Sequence, residues 1–203
     1  MHPNPAFRGA TEAFNLDFAR EQGFGMLAVA SDSAPLISHL PFLLNAAGDV
    51  AEFHLVRSNP IARLGGAPAR LAVQGPHTYI SPDWYRAEDQ VPTWNYVAVH
   101  LVGKIEPRPE AELRDLLDRQ SEAYEARLLP KTPWTADKMT DGLMERMMRQ
   151  IVPFRMHVSE VHGTWKLGQN KPEAARLSAA DHVDAYGMGQ ETALMAALMR
   201  GAQ

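Results

Sequence analysis

Residues 96–106 have the sequence YVAVHLVGKIE, and the alternation of their side chains sets the fold class. Successive side chains of a β-strand point to opposite faces, so Val97 and Val99 share one face. Ala98 and Val102 share the other face, which is therefore also partly apolar. A strand with two apolar faces is typical of a closed barrel or of a sheet that is covered on both sides.

Further strands are predicted on either side of this one, all of them short and either apolar or alternating. They cover residues 24–31, 36–44, 50–56, 70–74, 77–80 and 151–162. Turn-forming residues lie between the first three, and Gly75-Pro76 interrupts the fourth and fifth. Because these strands follow one another closely in sequence, the pattern predicts an antiparallel sheet.

Helical periodicity occupies most of the remaining chain. The predicted helices are 11–22, a short one at 60–64, an amphipathic one from Pro109, and segments at 136–150, 172–177 and 191–200. Strands that are mostly adjacent in sequence, with helices outside them, predict the α+β class. The expected architecture is an antiparallel β-barrel decorated by peripheral helices.

Composition narrows the classes of function. The 203 residues include 20 Lys+Arg and 24 Asp+Glu, a formal net charge of −4, which is poor support for a surface that neutralises many phosphates. The absence of cysteine excludes disulfides, thiolate metal sites and Cys nucleophiles. No cationic segment followed by an apolar run opens the sequence, and no run of eighteen apolar residues occurs, so we expect a cytoplasmic protein without a membrane span.

One candidate anion site lies where a predicted strand meets a short helix. Arg57, Ser58 and Asn59 stand at this junction, where unpaired backbone N–H groups and the helix dipole favour a phosphate. The competing interpretation is structural, because Ser58 or Asn59 would cap the helix in any protein.

Two further segments combine aromatic and polar side chains. Trp94 and Asn95 could stack on a planar ligand and bind its polar edge, or they could belong to the core. Residues 163–172, GTWKLGQNKP, form either a solvated turn or a recognition loop for phosphate or for the edge of a heteroaromatic ring. His157 and His162 fall on opposite faces of a strand, so no metal site is predicted from them.

Five motifs occur in one order along most of the chain, up to about Leu177. They are SHLP at 38–41, HLVRSNP at 54–60, QGPHTYISPDWY at 74–85, VPTWNY at 91–96 and WKLGQNK at 165–171. With these motifs the sequence resembles the PaiB family of FMN-binding negative transcriptional regulators. Two positions depart from the family pattern: Gly168 stands where the family often has Ser, and Ile61-Ala62 stand where it often has Gln-Trp.

The resemblance implies an α+β fold with an antiparallel split β-barrel, like that of pyridoxamine-phosphate oxidases, assembled as a homodimer with FMN at the subunit interface. It implies an FMN-binding split-barrel domain at 1–177, with a helical insertion at about 109–150, and a C-terminal helical extension at 178–203. The phosphate is expected near Arg57, Ser58 and Asn59. The other implied cofactor-binding residues are Lys166, Gln169 and Asn170 in the same pocket, and Trp94, Asn95 and His39 near the ring or substrate.

The first functional hypothesis is therefore a homodimeric, FMN-binding, PaiB-like regulator. The alternative is an FMN-dependent oxidoreductase or a haem-binding or haem-degrading split-barrel enzyme, with His39, His54 or His100 as ligand or proton donor. A third hypothesis is a partner-binding module with an empty pocket. DNA binding follows from the family label alone, because the helix from Pro109 mixes acidic and basic residues and the chain is acidic overall.

Overall fold

The computed structural model describes residues 2–32 and 34–202, which form eight β-strands and five α-helices. The strands are β1 (Phe24–Val29), β2 (Leu36–Pro41), β3 (Leu43–Leu44), β4 (Val50–Val56), β5 (Pro68–Ile80), β6 (Thr93–Pro107), β7 (Ile151–Lys166) and β8 (Gly189–Gln190). The helices are α1 (Glu12–Gln22), α2 (Leu113–Glu125), α3 (Leu143–Met148), α4 (Glu173–Tyr186) and α5 (Thr192–Gly201). The predicted α+β class is confirmed.

All eight strands belong to one sheet. Its order is β2-β1-β5-β6-β7-β4-β3, and β8 pairs with β5. The pairs with a defined register are antiparallel, for example Met26 opposite Ala72 and Phe53 opposite Phe154. In the described part of the chain the two ends of this order, β2 and β3, do not pair with each other, so the sheet stays open.

The chain divides into two compact units. Unit 1 comprises the residues up to Phe18, Val73–His100 and the residues from Val161 onward, and unit 2 comprises Ala19–Ala72 and Leu101–Glu160. Each of β5, β6 and β7 contributes residues to both units.

The core of unit 2 follows the alternation of its strands. Phe53 and Phe154 lie opposite each other on β4 and β7, both are fully buried, and their rings stack with centroids 6.0 Å apart. Helix α2 buries Leu113 and Leu116, as its amphipathic pattern predicts. Its Tyr124 hydroxyl donates a hydrogen bond of 2.6 Å to the carbonyl of Gly23 and so fixes α2 beside the start of β1.

The core of unit 1 is built around an indole and two helices. Trp165 is buried, donates from Nε1 to Asn15 Oδ1 at 2.8 Å, and contacts the ring of Phe18. Helices α4 and α5 pack their small and flexible side chains together: Ala175, Ala179, Ala180, Val183, Met195, Ala196 and Met199. The sequence alone identifies no partner for the apolar side chains of the C-terminal helix. In the structure they pack against α4.

Several sequence-based boundaries are wrong, and four of them differ most from the structure. β5 is continuous through Gly75 and Pro76; a Cβ at Gly75 would lie 2.6 Å from the ring of Phe18, so the glycine serves close packing and does not end the strand. The segment 136–150 is not one helix, because residues 139–142 separate a short 3₁₀ helix at Ala136–Lys138 from α3, and Gly142, immediately before α3, has φ +73°.

The other two errors lie near the C-terminus. β7 extends through Lys166, so residues 163–166 belong to a strand and the turn is shorter than predicted. Helix α4 runs to Tyr186 instead of ending at 177, because the small residues of its second half are buried against α5. The boundary between residues 177 and 178 stays a prediction, and both residues lie inside α4.

Within residues 2–32 and 34–202, no helix is both long enough and apolar enough to span a membrane.

Candidate functional site

A cavity of about 230 Å³ in unit 1 combines cationic, amide and aromatic side chains. The N-terminal segment, the region before β6, and the end of β7 with the turn that follows form its walls. Its lining residues are His2, Asn4, Phe7, Tyr85, Val91, Thr93, Asn95, Lys166, Asn170 and Lys171.

Regular structure positions the polar groups of this cavity. Thr93 and Asn95 are two residues apart on β6, so their side chains lie on the same face of the strand. Lys166 is the last residue of β7, and a tight turn follows it, in which the N–H of Lys171 donates to the carbonyl of Gly168 at 2.9 Å. Gly168 has φ +83°, a conformation that glycine adopts without strain, and this allows the turn to bring Lys171 back to the cavity.

Asn95 is the strongest sign of a ligand. Its side chain is 1% exposed, and neither Oδ1 nor Nδ2 has a hydrogen-bond partner among the described residues. Leaving such a buried donor or acceptor unsatisfied costs about 1–3 kcal/mol. A ligand that accepts from Nδ2 and donates to Oδ1 would remove this cost, so the amide fits a molecule that carries both kinds of group.

The two lysines add positive charge to the cavity. The ammonium of Lys166 bonds to the hydroxyl of Thr93 and lies 5.9 Å from the ring centroid of Phe7. The ammonium of Lys171 donates to Gln90 Oε1 at 2.6 Å and lies over the ring of Tyr85. In the part of the chain that the structure describes, neither lysine forms an ion pair with a carboxylate.

Burial lowers the pKa of Lys166, and the charge of Lys171 lowers it further. Both causes disfavour the protonated amine. A bound anion would act in the opposite direction, because it would supply the negative charge that two neighbouring ammonium groups lack. The cavity is therefore electrostatically suited to an anionic group such as a phosphate.

Two other residues of the predicted site lie near the cavity in sequence without lining it. Trp94 precedes Asn95 on β6 and so points to the opposite face, where its ring contacts those of His77 and Tyr79 at centroid distances of 5.7 and 6.2 Å. The Gln169 carboxamide accepts from the N–H of Leu167 at 2.8 Å and donates to the carbonyl of Trp165 at 2.6 Å. Gln169 thus closes the turn after β7.

The predicted phosphate segment lies in unit 2, where the side chains of Arg57 and Asn59 have partners within the protein. Arg57 donates to Glu110 Oε1 at 2.8 Å and to the carbonyl of Arg149 at 3.1 Å. Asn59 caps the short 3₁₀ helix Pro60–Arg63 through Oδ1, and its Nδ2 donates to Ser38 Oγ at 3.1 Å. Ser58 and His39 are exposed.

The structure thus unites three of the predicted residues, Asn95, Lys166 and Asn170, in one cavity. It adds Lys171, Thr93 and His2, which the sequence-based site does not include. Lys171 could have been found as the second cation of the 165–171 motif, and Thr93 as the residue one strand period before Asn95. No sequence signal points to His2, which reaches the cavity through the tertiary fold.

Other cavities have fewer features of a binding site. One of about 650 Å³ in unit 2 lies between α2 and residues 126–137, and its Arg114 is already paired with Asp118 at 2.8 Å. It contains no buried polar atom without a partner among the described residues. Nowhere in residues 2–32 and 34–202 do three His, Asp or Glu side chains converge as metal ligands.

Comparison with known proteins gives matches in sequence. A family model described as "Putative FMN-binding domain" matches residues 1–160. "Protease synthase and sporulation protein PAI 2" of Bacillus subtilis (strain 168) is 34% identical over 178 residues, which are 86% of this chain and 84% of the relative. An uncharacterized protein of Emericella nidulans is 24% identical over 200 residues, 77% of this chain and 80% of its own.

Two solved structures are similar in fold. The FAD and heme binding protein from Mycobacterium smegmatis has a TM-score of 0.58 at 16% identity and covers 90% of this chain and 82% of its own. The flavocytochrome Anf3 from Azotobacter vinelandii has a TM-score of 0.52 at 13% identity and covers 81% and 72%. At these identities the likeness concerns the fold, and it confirms the predicted antiparallel split barrel with peripheral helices.

Proposed function

The chain belongs to the PaiB family of FMN-binding domains, and we propose that it binds FMN with the phosphate of the flavin in the unit 1 cavity. The observation that carries this proposal is the buried amide of Asn95, which has no partner among the described residues and lines the same cavity as two lysines that have no carboxylate partner there. Family membership supports a flavin as the ligand. The cationic and amide groups of the cavity support binding of the phosphate end of that flavin.

The cavity groups match a phosphate monoester. Lys166 and Lys171 would donate charge-assisted hydrogen bonds to its oxygens, and Nδ2 of Asn95 would donate a further one. Oδ1 of Asn95 would accept from a hydroxyl of the adjoining ribityl chain. A cavity of about 230 Å³ is smaller than the usual pocket for a whole drug-sized ligand, so it would take the phosphate end with the ring outside it.

When bound, FMN supplies electron-transfer chemistry that this cysteine-free chain has no thiol to perform. The residues of the chain bind and orient the flavin and neutralise its phosphate. His39, Trp94 and Gln169 stay predicted FMN-binding residues, and Arg57, Ser58 and Asn59 stay the competing sequence-based site for the phosphate.

We propose in addition that the protein is a homodimer with FMN at the subunit interface, as its family resemblance implies. Exposed apolar side chains in unit 2, among them Phe24, Ile37 and Val56, support a surface that a second copy would cover. Sedimentation at micromolar concentration tests this; a single species of 22.5 kDa would contradict it.

We propose a regulatory role because the PaiB family is one of negative transcriptional regulators. Two copies with a formal net charge of −4 each carry −8 together, so direct DNA binding would need a local concentration of positive charge. A mobility shift that weakens steeply with salt would support direct binding. If the protein instead regulates by contacting a partner in a flavin-dependent way, it should leave the mobility of the DNA unchanged.

The deciding experiment is a fluorescence titration of the protein with FMN, and with riboflavin as the matched control that lacks the phosphate. We expect FMN to bind roughly a hundredfold more tightly than riboflavin, because two hydrogen bonds to a charged phosphate contribute about 1.5–3 kcal/mol each. Equal affinity for the two flavins would contradict phosphate binding in the cavity. An absorption spectrum of the purified protein separates the alternatives, because a Soret band in place of flavin bands would favour the haem-binding enzyme.

A further inference from the structure

The N-terminal strap, residues 2–7, forms one wall of the unit 1 cavity. The backbone N–H of His2 donates to Thr164 Oγ1 at 3.3 Å, and the carbonyl of Ala6 accepts from Gln169 Nε2 at 3.1 Å. Phe7 is 3% exposed and anchors the end of the strap in the core. The strap is therefore fixed to β7 and to the turn after it, the same elements that present Lys166 and Lys171.

Within the strap, the ring of His2 has a defined tautomer. The backbone N–H of Asn4 donates to Nδ1 of His2 at 3.2 Å, and because a backbone N–H can only donate, Nδ1 must be the acceptor. The proton of the neutral imidazole then resides on Nε2. The ring is held edge-to-face against Phe7, with centroids 4.7 Å apart and an interplanar angle of 81°.

This arrangement commits one of the two ring nitrogens of His2 to a contact within the protein. Nδ1 is occupied by Asn4, so Nε2–H is the donor that His2 can offer to a ligand in the cavity that it lines. We propose that His2 is an additional ligand-binding residue whose Nε2–H donates to an oxygen of the bound phosphate. The inference rests on the proposed FMN function and extends the phosphate site from the 165–171 turn to the N-terminal strap.

The proposal has a physical consequence for the strap itself. A ligand that bridges His2 and Lys166 would tie the strap to β7 more firmly than the two backbone contacts do alone. Binding and ordering of the strap are then linked, so the ligand should stabilise the strap and an anchored strap should strengthen binding.

The first test is the substitution His2→Phe, which keeps an aromatic ring against Phe7 and removes both ring nitrogens. Loss of one hydrogen bond to a charged phosphate should weaken FMN binding about tenfold. The affinity for riboflavin should not change, because riboflavin has no phosphate. The matched control is His157→Phe, an exposed histidine of unit 2 whose ring pairs with Glu106, and its FMN affinity should equal that of the wild type.

The second test avoids substitution. Nitrogen-15 NMR of the His2 ring in the wild-type protein should show the Nε2–H tautomer without ligand, and the Nε2 resonance should shift when inorganic phosphate is added. An Nδ1–H tautomer, or a resonance that phosphate leaves unmoved, would overturn the assignment.

The experiments distinguish failure of the proposed phosphate site from failure of the proposed role of His2. If the wild type binds FMN and riboflavin equally, the phosphate site itself is wrong. If it prefers FMN and His2→Phe keeps the full preference, the phosphate site holds and the role of His2 is wrong.

Discussion

The 57–59 segment of unit 2 and the unit 1 cavity both present cationic and amide side chains, and they use them differently. Arg57 is bonded to Glu110 and Asn59 caps a 3₁₀ helix, so the polar groups of the segment serve the fold. In the cavity, Lys166 and Lys171 lack a carboxylate partner among the described residues, and Asn95 is buried without any partner.

The difference shows what distinguishes a structural polar cluster from a binding site. A guanidinium that already donates to a carboxylate and to a backbone carbonyl, as Arg57 does, has fewer unused donors for a phosphate. A buried amide without a partner gains the whole hydrogen bond that folding left unmade. Residue type alone does not distinguish a structural cluster from a binding site. The distinction depends on whether the polar side chains already have partners within the protein.

The largest expected effect follows from removing both charges of the cavity. The double substitution Lys166→Ala with Lys171→Ala should weaken FMN binding by at least a hundredfold, because each charge-assisted hydrogen bond contributes about 1.5–3 kcal/mol. Fluorescence titration measures the change. Riboflavin affinity is the control, and a double variant that retains wild-type affinity for FMN would remove the cavity from consideration.

The next test acts on the unpartnered amide. Asn95→Leu replaces a buried polar side chain by an apolar one of similar size, so the ligand-free protein should gain about 1 kcal/mol of stability. A gain of this size raises Tm by about 2–4 °C in a protein of this length. The same substitution should weaken FMN binding about tenfold, and thermal denaturation with and without FMN measures both effects.

A substitution that stabilises the ligand-free protein and weakens FMN binding indicates that the replaced residue serves binding and not folding. A destabilised Asn95→Leu variant would show that the amide has a structural role, and the contrast with the 57–59 segment would then disappear.

A smaller effect is expected from the other region. Arg57→Ala removes a guanidinium whose contacts are made within the protein, so FMN affinity should stay within about twofold of the wild type. Titration under the same conditions as for the lysine variants checks this. A tenfold loss would instead support the sequence-based assignment of the phosphate to Arg57.

The smallest effect concerns His54, whose Nδ1 is also buried and has no hydrogen-bond partner in the described part of the chain. Burial lowers the pKa of His54 below its ordinary 6.5, while a hydrogen bond with Gln120 opposes the shift. Below pH 6.5 the unfolded chain binds a proton more readily than the folded one, so the contribution of His54 to stability is lost as the pH falls from 6.5 toward the folded-state pKa. His54→Gln should flatten this part of the stability profile, measured by urea unfolding between pH 7.5 and 5.

FMN should affect Asn95 and not His54, because His54 lines neither the unit 1 cavity nor the cavity of about 650 Å³ in unit 2. Saturating FMN should leave the pH dependence that His54 causes unchanged. A profile that FMN flattens would place His54 among the ligand-binding groups.

Much of the fold was predictable because it depends on local periodicity. The strand at 50–56 has the predicted bounds, and the helix at 11–22 begins within one residue of its predicted start. The errors fall where a long-range contact overrides a local signal, as at Gly75, which packs against Phe18 inside a strand. The sequence also placed Asn95, Lys166 and Asn170 among the candidates, through their motifs.

The sequence by itself determined the alternation of apolar side chains, the absence of thiol chemistry, and the family. Tertiary structure alone decided which cations keep a carboxylate partner. Arg57 meets Glu110 across 53 residues of chain, and Lys166 meets Thr93 across 73. Such pairings arise from the order of strands in the sheet and leave no trace in local composition. The physical reason is that pairing depends on distances of a few ångströms, which the sequence does not contain.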